Sequence, residues 1–384
     1  MKEIKKYFGI NNILLKIKFL AVVLIIFIFS IEILSFIFTK FNLLIVNHEP
    51  SYIHKQGNKW RVENTSWGTW HKPNFGDQHS TECFNVNYQS NNLGARDVED
   101  YDANLPKNSI VLIGDSFAEG WGVNLKNIFP TILEKKTNRK VLNFGSSGSF
   151  GTVQAQILYN NLASNLPHNE LIYFFLPDND FTDNDRRYWA DKVHGLRHRP
   201  YFKKISEKNY DVFYPTQNIQ NKLLINVKDF LFLRLKSFLI QYTYSANTLR
   251  SINALLTKFN ENKSGVIRSP DSGISYFFND HESINGTIFF LTKLLSEAIH
   301  LKRRILVVIP TLEDLNLIYY GKSYKNLKWY KDLKQIALET NTEFVDLANH
   351  FKKEKYKKMI FTCDWHWNPY GHKEVANLII KKFY

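Results

Sequence analysis

The stretch Ser109-Ile110-Val111-Leu112-Ile113-Gly114-Asp115-Ser116-Phe117 decides how this chain reads. A short apolar, β-branched run at 109–113 ends on a Gly-Asp-Ser turn. It predicts a buried strand that delivers a serine at its carboxyl end. The same rhythm continues outward. A helix is expected at 129–135 and a second strand at 141–144. The segment 151–165 carries Val153, Ile157, Leu158 and Leu162 at helical spacing. Further strands are expected at 171–176, 305–309 and 343–347, with helical sequence near the last two. Short buried strands alternating with helices predict an α/β fold, a three-layer sandwich around a parallel five-stranded sheet.

Ligands of an open parallel sheet bind beyond the carboxyl ends of its strands. The polar residues that stand out all fall there. Ser116 follows the first strand, and the loop from Gly145 through Gly148 to Gly151 follows the second and opens a helix. Asn179 and Asp180 follow the third. Asp364 and His366, within Cys363-Asp364-Trp365-His366-Trp367-Asn368, precede the last helix. A serine hydroxyl is a poor nucleophile until an imidazole takes its proton, and a carboxylate orients that imidazole. Ser116 is therefore the candidate nucleophile, His366 its base and Asp364 the orienting acid. Each residue alone has an ordinary structural use, as helix cap, surface histidine or turn cap. The weight comes from four distant segments meeting at one sheet edge. His372 shares an apolar helical stripe with Val375, Ala376 and Ile379, so it is assigned to packing. Asp115 and Asp180 are read as loop-holding groups.

These four blocks, in this order, resemble the SGNH (GDSL-type) hydrolase family over about residues 90–384. The segment from Asn91 to Asp97 is similar to the one preceding the nucleophile in its membrane-anchored members. The resemblance implies an SGNH/flavodoxin-like fold; the sequence offers no candidate metal cluster, so no cofactor is expected. The resemblance also implies an oxyanion hole made by the N–H groups of Ser116 and Gly148 with the Asn179 amide. One departure is visible. Many members space the pair as Asp-x-x-His; here it is Asp364-Trp365-His366, with Cys363 at the usual acid position. In this the chain is closer to the branch holding alginate-type O-acetyltransferases. The implied activity is a serine esterase removing acyl groups, O-acetyl foremost, from a glycan or other cell-envelope molecule. The alternatives are an O-acetyltransferase on an envelope polysaccharide and a non-catalytic envelope protein that keeps the fold.

Composition narrows the partners. With 44% hydrophobic residues the 384-residue chain can build a core. The formal charge of +14 is scattered. Without an Arg-rich arm or zinc-finger spacing, nucleic acid is not expected; an anionic membrane surface or an acidic glycan suits the charge better. Two cysteines, Cys83 and Cys363, form no CxxC. Cys363 is read as a small buried residue at a strand end, with a site-adjacent thiol or a bridge to Cys83 as alternatives.

Residues 19–38 contain one charge, Glu32, and match the bilayer core of about 30 Å. Lys2, Lys5, Lys6, Lys16 and Lys18 precede them and only Lys40 follows closely. That bias predicts a cytoplasmic N-terminus, with the rest of the chain on the far side of the membrane. A cleaved signal peptide is the rival reading, although no good small-x-small site follows. The expected organisation is a stub at 1–18, an anchor at 19–38, a polar, aromatic and irregular stalk and extension at 39–105, and the hydrolase-like domain at 106–384. An insertion at about 185–285 carries Lys-rich amphipathic segments at 221–238 and 244–259. It is read as a solvated helical excursion, a lid or a membrane-facing helical pair.

Overall fold

The structure is a computed structural model that describes residues 2–41, 43, 49–53, 59–81, 83–189, 198–215, 227–264 and 275–384. The chain begins with helix α1 (Lys2–Lys40). Two antiparallel hairpins follow, β1 (Arg61–Asn64) with β2 (Gly68–His71) and β3 (Phe75–Ser80) with β4 (Asn85–Ser90). Then come β5 (Ile110–Gly114), α2 (Ser116–Glu119), α3 (Phe129–Thr137), β6 (Val141–Gly145), α4 (Thr152–Asn161), β7 (Glu170–Phe175) and α5 (Pro177–Asp183). A third hairpin, β8 (Tyr201–Lys204) with β9 (Tyr210–Phe213), leads to α6 (Val227–Tyr242), α7 (Tyr244–Ser264) and α8 (His281–Glu297). The chain closes with β10 (Arg303–Val308), α9 (Leu312–Tyr319), α10 (Lys328–Glu339), β11 (Glu343–Asp346), α11 (Lys353–Met359) and α12 (Pro369–Phe383).

Two compact units result. One holds Met1–Lys55 and Leu224–Val266, the other Gln56–Leu223 and Ile267–Tyr384.

The larger unit is built on a five-stranded sheet in the order β11-β10-β7-β5-β6, parallel throughout. β5, β6 and β7 are buried along their whole length. A parallel sheet covered on both faces demands this of the inner strands β5 and β7; β6, at one edge, is covered as well. Alternation along β5 sorts its side chains. Val111 and Ile113 enter one core with residues of α4, α8 and α10; Ile110 and Leu112 enter the other with residues of α3, α9 and α12. The three-layer α/β sandwich expected from the strand rhythm is the observed fold.

The region 61–90, which reads as irregular, instead carries the two hairpins. Their strands are short, and what fixes them is burial of Trp60, Trp67, Trp70 and Tyr88, a long-range effect that local pattern does not encode. The expected insertion contains the β8–β9 hairpin as well as helices, and the start of the segment expected at 221–238 lies outside the described residues.

In the smaller unit, Leu15–Lys40 is the one helix among the described residues that is long and apolar enough to cross a membrane, with mean hydropathy 2.9. An anchor and a signal sequence share that property.

Candidate active site

β5 ends at Gly114, and the chain turns directly into α2. Asp115 is the N-cap of this helix and its carboxylate accepts the Phe117 N–H at 2.9 Å. Ser116 is thus the first helical residue, its hydroxyl held at the sheet edge. The turn requires close backbone approach from the neighbouring strand. A Cβ on Gly145, at the end of β6, would lie 2.1 Å from the Glu119 nitrogen, so only glycine fits there.

Ser116 Oγ lies 2.7 Å from His366 Nε2. The other ring nitrogen, Nδ1, donates to Asp364 Oδ1. Asp364 Oδ2 accepts the Trp121 indole N–H at 2.8 Å. Burial alone would raise the Asp364 carboxyl, but the His366 and Trp121 hydrogen bonds hold it below the ordinary aspartate range. The segment that carries this pair is clamped at its base. Ile360 and Trp367 form an antiparallel bridge, and the Phe361 N–H donates to the His366 carbonyl at 3.0 Å. Cys363 is exposed and disulfide-bonded to Cys83 in the β3–β4 loop, across 280 residues of sequence. It is therefore not the small buried residue expected: its neighbour Asp364 turns inward, which leaves Cys363 on the outer side of the loop.

The glycine loop after β6 is tied to the same edge. The Ser146 N–H donates to the Gly114 carbonyl at 3.1 Å, and the Ser147 N–H donates to the Glu119 carboxylate. Gly148 sits at φ +98°, a conformation that favours glycine. Arg61 donates from Nη2 to Ser147 Oγ at 2.5 Å, and its guanidinium lies 5.1 Å from the centre of the Trp121 ring. Burial would raise Glu119, yet His71, 3.4 Å away, with Arg61 and Arg96, pulls it down to about 2. A fixed negative charge thus sits under the loop and a fixed positive charge beside it.

Asn179, in the first turn of α5, donates from Nδ2 to Asp115 Oδ2 at 3.1 Å. One of its two amide hydrogens is thereby placed against the N-cap of the Ser116 helix. Asp180 is buried and accepts the Leu176 N–H at 2.6 Å, which closes the turn after β7. Burial and the Asp115 charge raise its carboxyl well above the ordinary range. His372 is buried in α12, where its Nδ1 accepts the Phe129 N–H at 3.1 Å. Burial pushes its imidazole down to about 3.

Ser116, His366 and Asp364 therefore meet in one chain of hydrogen bonds, with Asn179 one residue away through Asp115. The arrangement can carry the Ser116 proton to an imidazole whose other face is held by a carboxylate. Sequence reasoning missed Arg61, His71, Glu119 and Trp121. A tryptophan between two glycines directly after the Gly-Asp-Ser turn was a usable signal for Trp121. Arg61 and His71 lie in the extension, in no motif. Among the described residues, no group of three or more His, Cys, Asp or Glu side chains could hold a metal ion.

No family model matches the chain, and neither does any curated protein. Solved structures do. A member of the lipolytic protein G-D-S-L family from Veillonella parvula is 12% identical, covering 72% of this chain and 97% of that one, with a TM-score of 0.35. A lipase/acylhydrolase from Enterococcus faecalis is 12% identical over 72% and 94%, at 0.37. An acetylxylan esterase from Geobacillus stearothermophilus is 13% identical over 73% and 95%, at 0.35.

Proposed function

We propose that this protein is a membrane-anchored, extracytoplasmic serine esterase that removes acyl groups, O-acetyl foremost, from a glycan or other cell-envelope molecule. The observation that carries the reading is the 2.7 Å contact between Ser116 Oγ and His366 Nε2, with Asp364 on the opposite ring nitrogen. In this mechanism Ser116 Oγ attacks the ester carbonyl while His366 takes the hydroxyl proton. The N–H groups of Ser116 and Gly148 and the free hydrogen of the Asn179 amide receive the oxyanion. His366 then protonates the leaving alkoxide, leaving an acyl-serine. Water, activated by the same imidazole, attacks that ester and releases the acid and free Ser116. Asp364 keeps the proton on Nδ1 and stabilises the imidazolium. Residues 19–38 hold the chain in the bilayer with the N-terminus in the cytoplasm.

The test uses the full chain purified in detergent. A fluorophosphonate probe is expected to label Ser116, and p-nitrophenyl acetate to be hydrolysed. Absence of both in a folded protein would overturn the esterase reading in favour of the non-catalytic alternative. Adding an oligosaccharide acceptor distinguishes hydrolysis from acetyl transfer, because transfer yields an acetylated sugar. Alkaline phosphatase fused after Tyr384 is expected to be active; an inactive, well-expressed fusion overturns the orientation.

A further inference from the structure

The helical part of the expected insertion belongs to the same compact unit as α1, and its amphipathicity is inverted. α7 buries the polar residues Asn247, Thr248 and Ser251. On an adjoining face, beside the exposed Arg250 and Asn253, it exposes Leu249, Ile252 and Leu256, spaced i, i+3, i+7. α6 exposes Phe232, Leu235, Phe238, Leu239 and Tyr242, which form one stripe at helical spacing. A water-soluble helix pair would present the reverse.

The helix it packs against shows where this pair lies. On α1 every side chain from 15 to 31 is exposed. With the span at 19–38, Glu32 lies six residues, about 9 Å, inside its outer end, at the depth of the outer leaflet. Cover begins at Glu32 and continues with Ser35 and Thr39, one helical face. The Glu32 carboxylate accepts the N–H of Tyr244, and that of Ser245 at 3.0 Å, the first two donors of α7. The next donor, Ala246, is accepted by Thr243 Oγ1 at 3.3 Å. On the other side of the turn, Asn247 Nδ2 donates to the carbonyls of Ile240 and Thr243, each at 2.8 Å, and Thr243 Oγ1 donates to the Leu239 carbonyl at 2.7 Å. Side chains, water or ligands can serve such helix ends, but in hydrocarbon water is not available. Here side chains of the same unit serve them, which is what hydrocarbon requires of a backbone placed within it.

We propose that α6 and α7 form a hairpin that enters the outer leaflet turn first. In this arrangement Glu32 fastens its apex to α1, and its two apolar stripes contact lipid. The proposal rests on the reading of α1 as a membrane anchor. It gives the acidic residue of the apolar span a partner, the positive end of α7. It also makes the membrane attachment a three-helix element rather than a single rod.

The experiment uses the full chain with its disulfide intact, carrying one added cysteine at a time labelled with an environment-sensitive fluorophore. The variants are Ile26→Cys on the bare part of α1, Leu235→Cys and Leu249→Cys on the stripes, and Ser237→Cys on the other, exposed face of α6. Each is reconstituted in phosphatidylethanolamine/phosphatidylglycerol vesicles, with spin-labelled lipid or aqueous iodide as quencher. The Leu235 and Leu249 probes are expected to lose most of their emission to spin-labelled lipid and little to iodide; the Ser237 probe should do the reverse. If the Ile26 probe is lipid-quenched but the Leu235 and Leu249 probes are iodide-quenched, the hairpin proposal fails while the anchor reading stands. If the Ile26 probe itself is iodide-quenched, the anchor reading fails. Stripe probes protected from both quenchers would mean a protein partner and would also overturn the proposal. In Glu32→Ala the Leu249 probe is expected to shift towards iodide quenching; an unmoved probe removes Glu32 from the fastening role.

Discussion

The loop at 363–368 and the helix that follows it, Pro369–Phe383, each present one histidine, six positions apart, and the two are opposites. His366 is partly exposed. It donates from Nδ1 to a carboxylate and receives the Ser116 hydroxyl on Nε2. His372 is buried. It uses its Nδ1 lone pair to accept the Phe129 N–H, and burial keeps it neutral down to about pH 3. In the proposed mechanism the first is a proton carrier, whereas the second is a fixed acceptor. What differs is which group faces each nitrogen and whether water can help bear a charge.

The largest effect expected from this contrast is on turnover. Ser116→Ala and His366→Ala should each lower kcat on p-nitrophenyl acetate by about 10⁴-fold to 10⁶-fold, and the double variant should be scarcely worse than either single one. His372→Ala should leave kcat within a few-fold of wild type while lowering the melting temperature. A folded His366→Ala that keeps full turnover, with His372→Ala inactive, would reverse the assignment of the two histidines.

Asn179→Ala comes next. If its free amide hydrogen serves the oxyanion, kcat should fall by roughly a hundred-fold to a thousand-fold with KM nearly unchanged. A rise in KM alone would assign Asn179 to holding Asp115.

The two histidines also mark what the sequence could carry. The five strands of the parallel sheet were legible because each is a short, largely buried apolar run, and the residues that end them fall on one edge by topology alone. His372 was legible from the stripe it shares with Val375, Ala376 and Ile379. The support around His366 was not. Trp121, which holds Asp364, is separated from it by 243 positions. Arg61 reaches the glycine loop across 86 positions from a four-residue strand in a region that reads as irregular. The disulfide joins positions 280 apart. Such contacts are set by packing after the fold forms and leave no local spacing to read.

The disulfide offers an intermediate test of the contrast, because it restrains the loop and not the helix. Cys83→Ser combined with Cys363→Ser should lower stability by roughly 2–4 kcal/mol. Loosening Asp364 and His366 should also cost roughly ten-fold to a hundred-fold in kcat. Full activity in the double variant would show that the Ile360–Trp367 bridge suffices to hold the loop.

The smallest expected effect is a pH dependence that isolates the helix. An ordinary histidine in the unfolded chain takes a proton near pH 6.5, whereas folded His372 does so only near 3. Between those values the unfolded state binds the extra proton. His372 therefore costs stability as the pH falls, by up to about 1.4 kcal/mol per pH unit. His79, His168 and His350, also lowered by burial, act in the same direction but are common to wild type and a His372 variant, so they cancel in the comparison. Asp364, held below its ordinary value, loses its contribution only at still lower pH, through the carboxylate range. Asp115 and Asp180, raised by burial, bind protons more readily when folded, and so favour the folded state on acidification. His372→Asn removes the titration but keeps an oxygen that can accept the Phe129 N–H. Melting temperatures of the full chain between pH 7.5 and 5 should therefore fall more steeply for wild type than for His372→Asn. Whatever gap packing opens between them at pH 7.5 should close by about 2–4 °C for each kcal/mol recovered. Parallel curves would mean that His372 is protonated in the folded protein. The Phe129 N–H would then have lost its acceptor, and the helix histidine would be more like His366 than its surroundings allow.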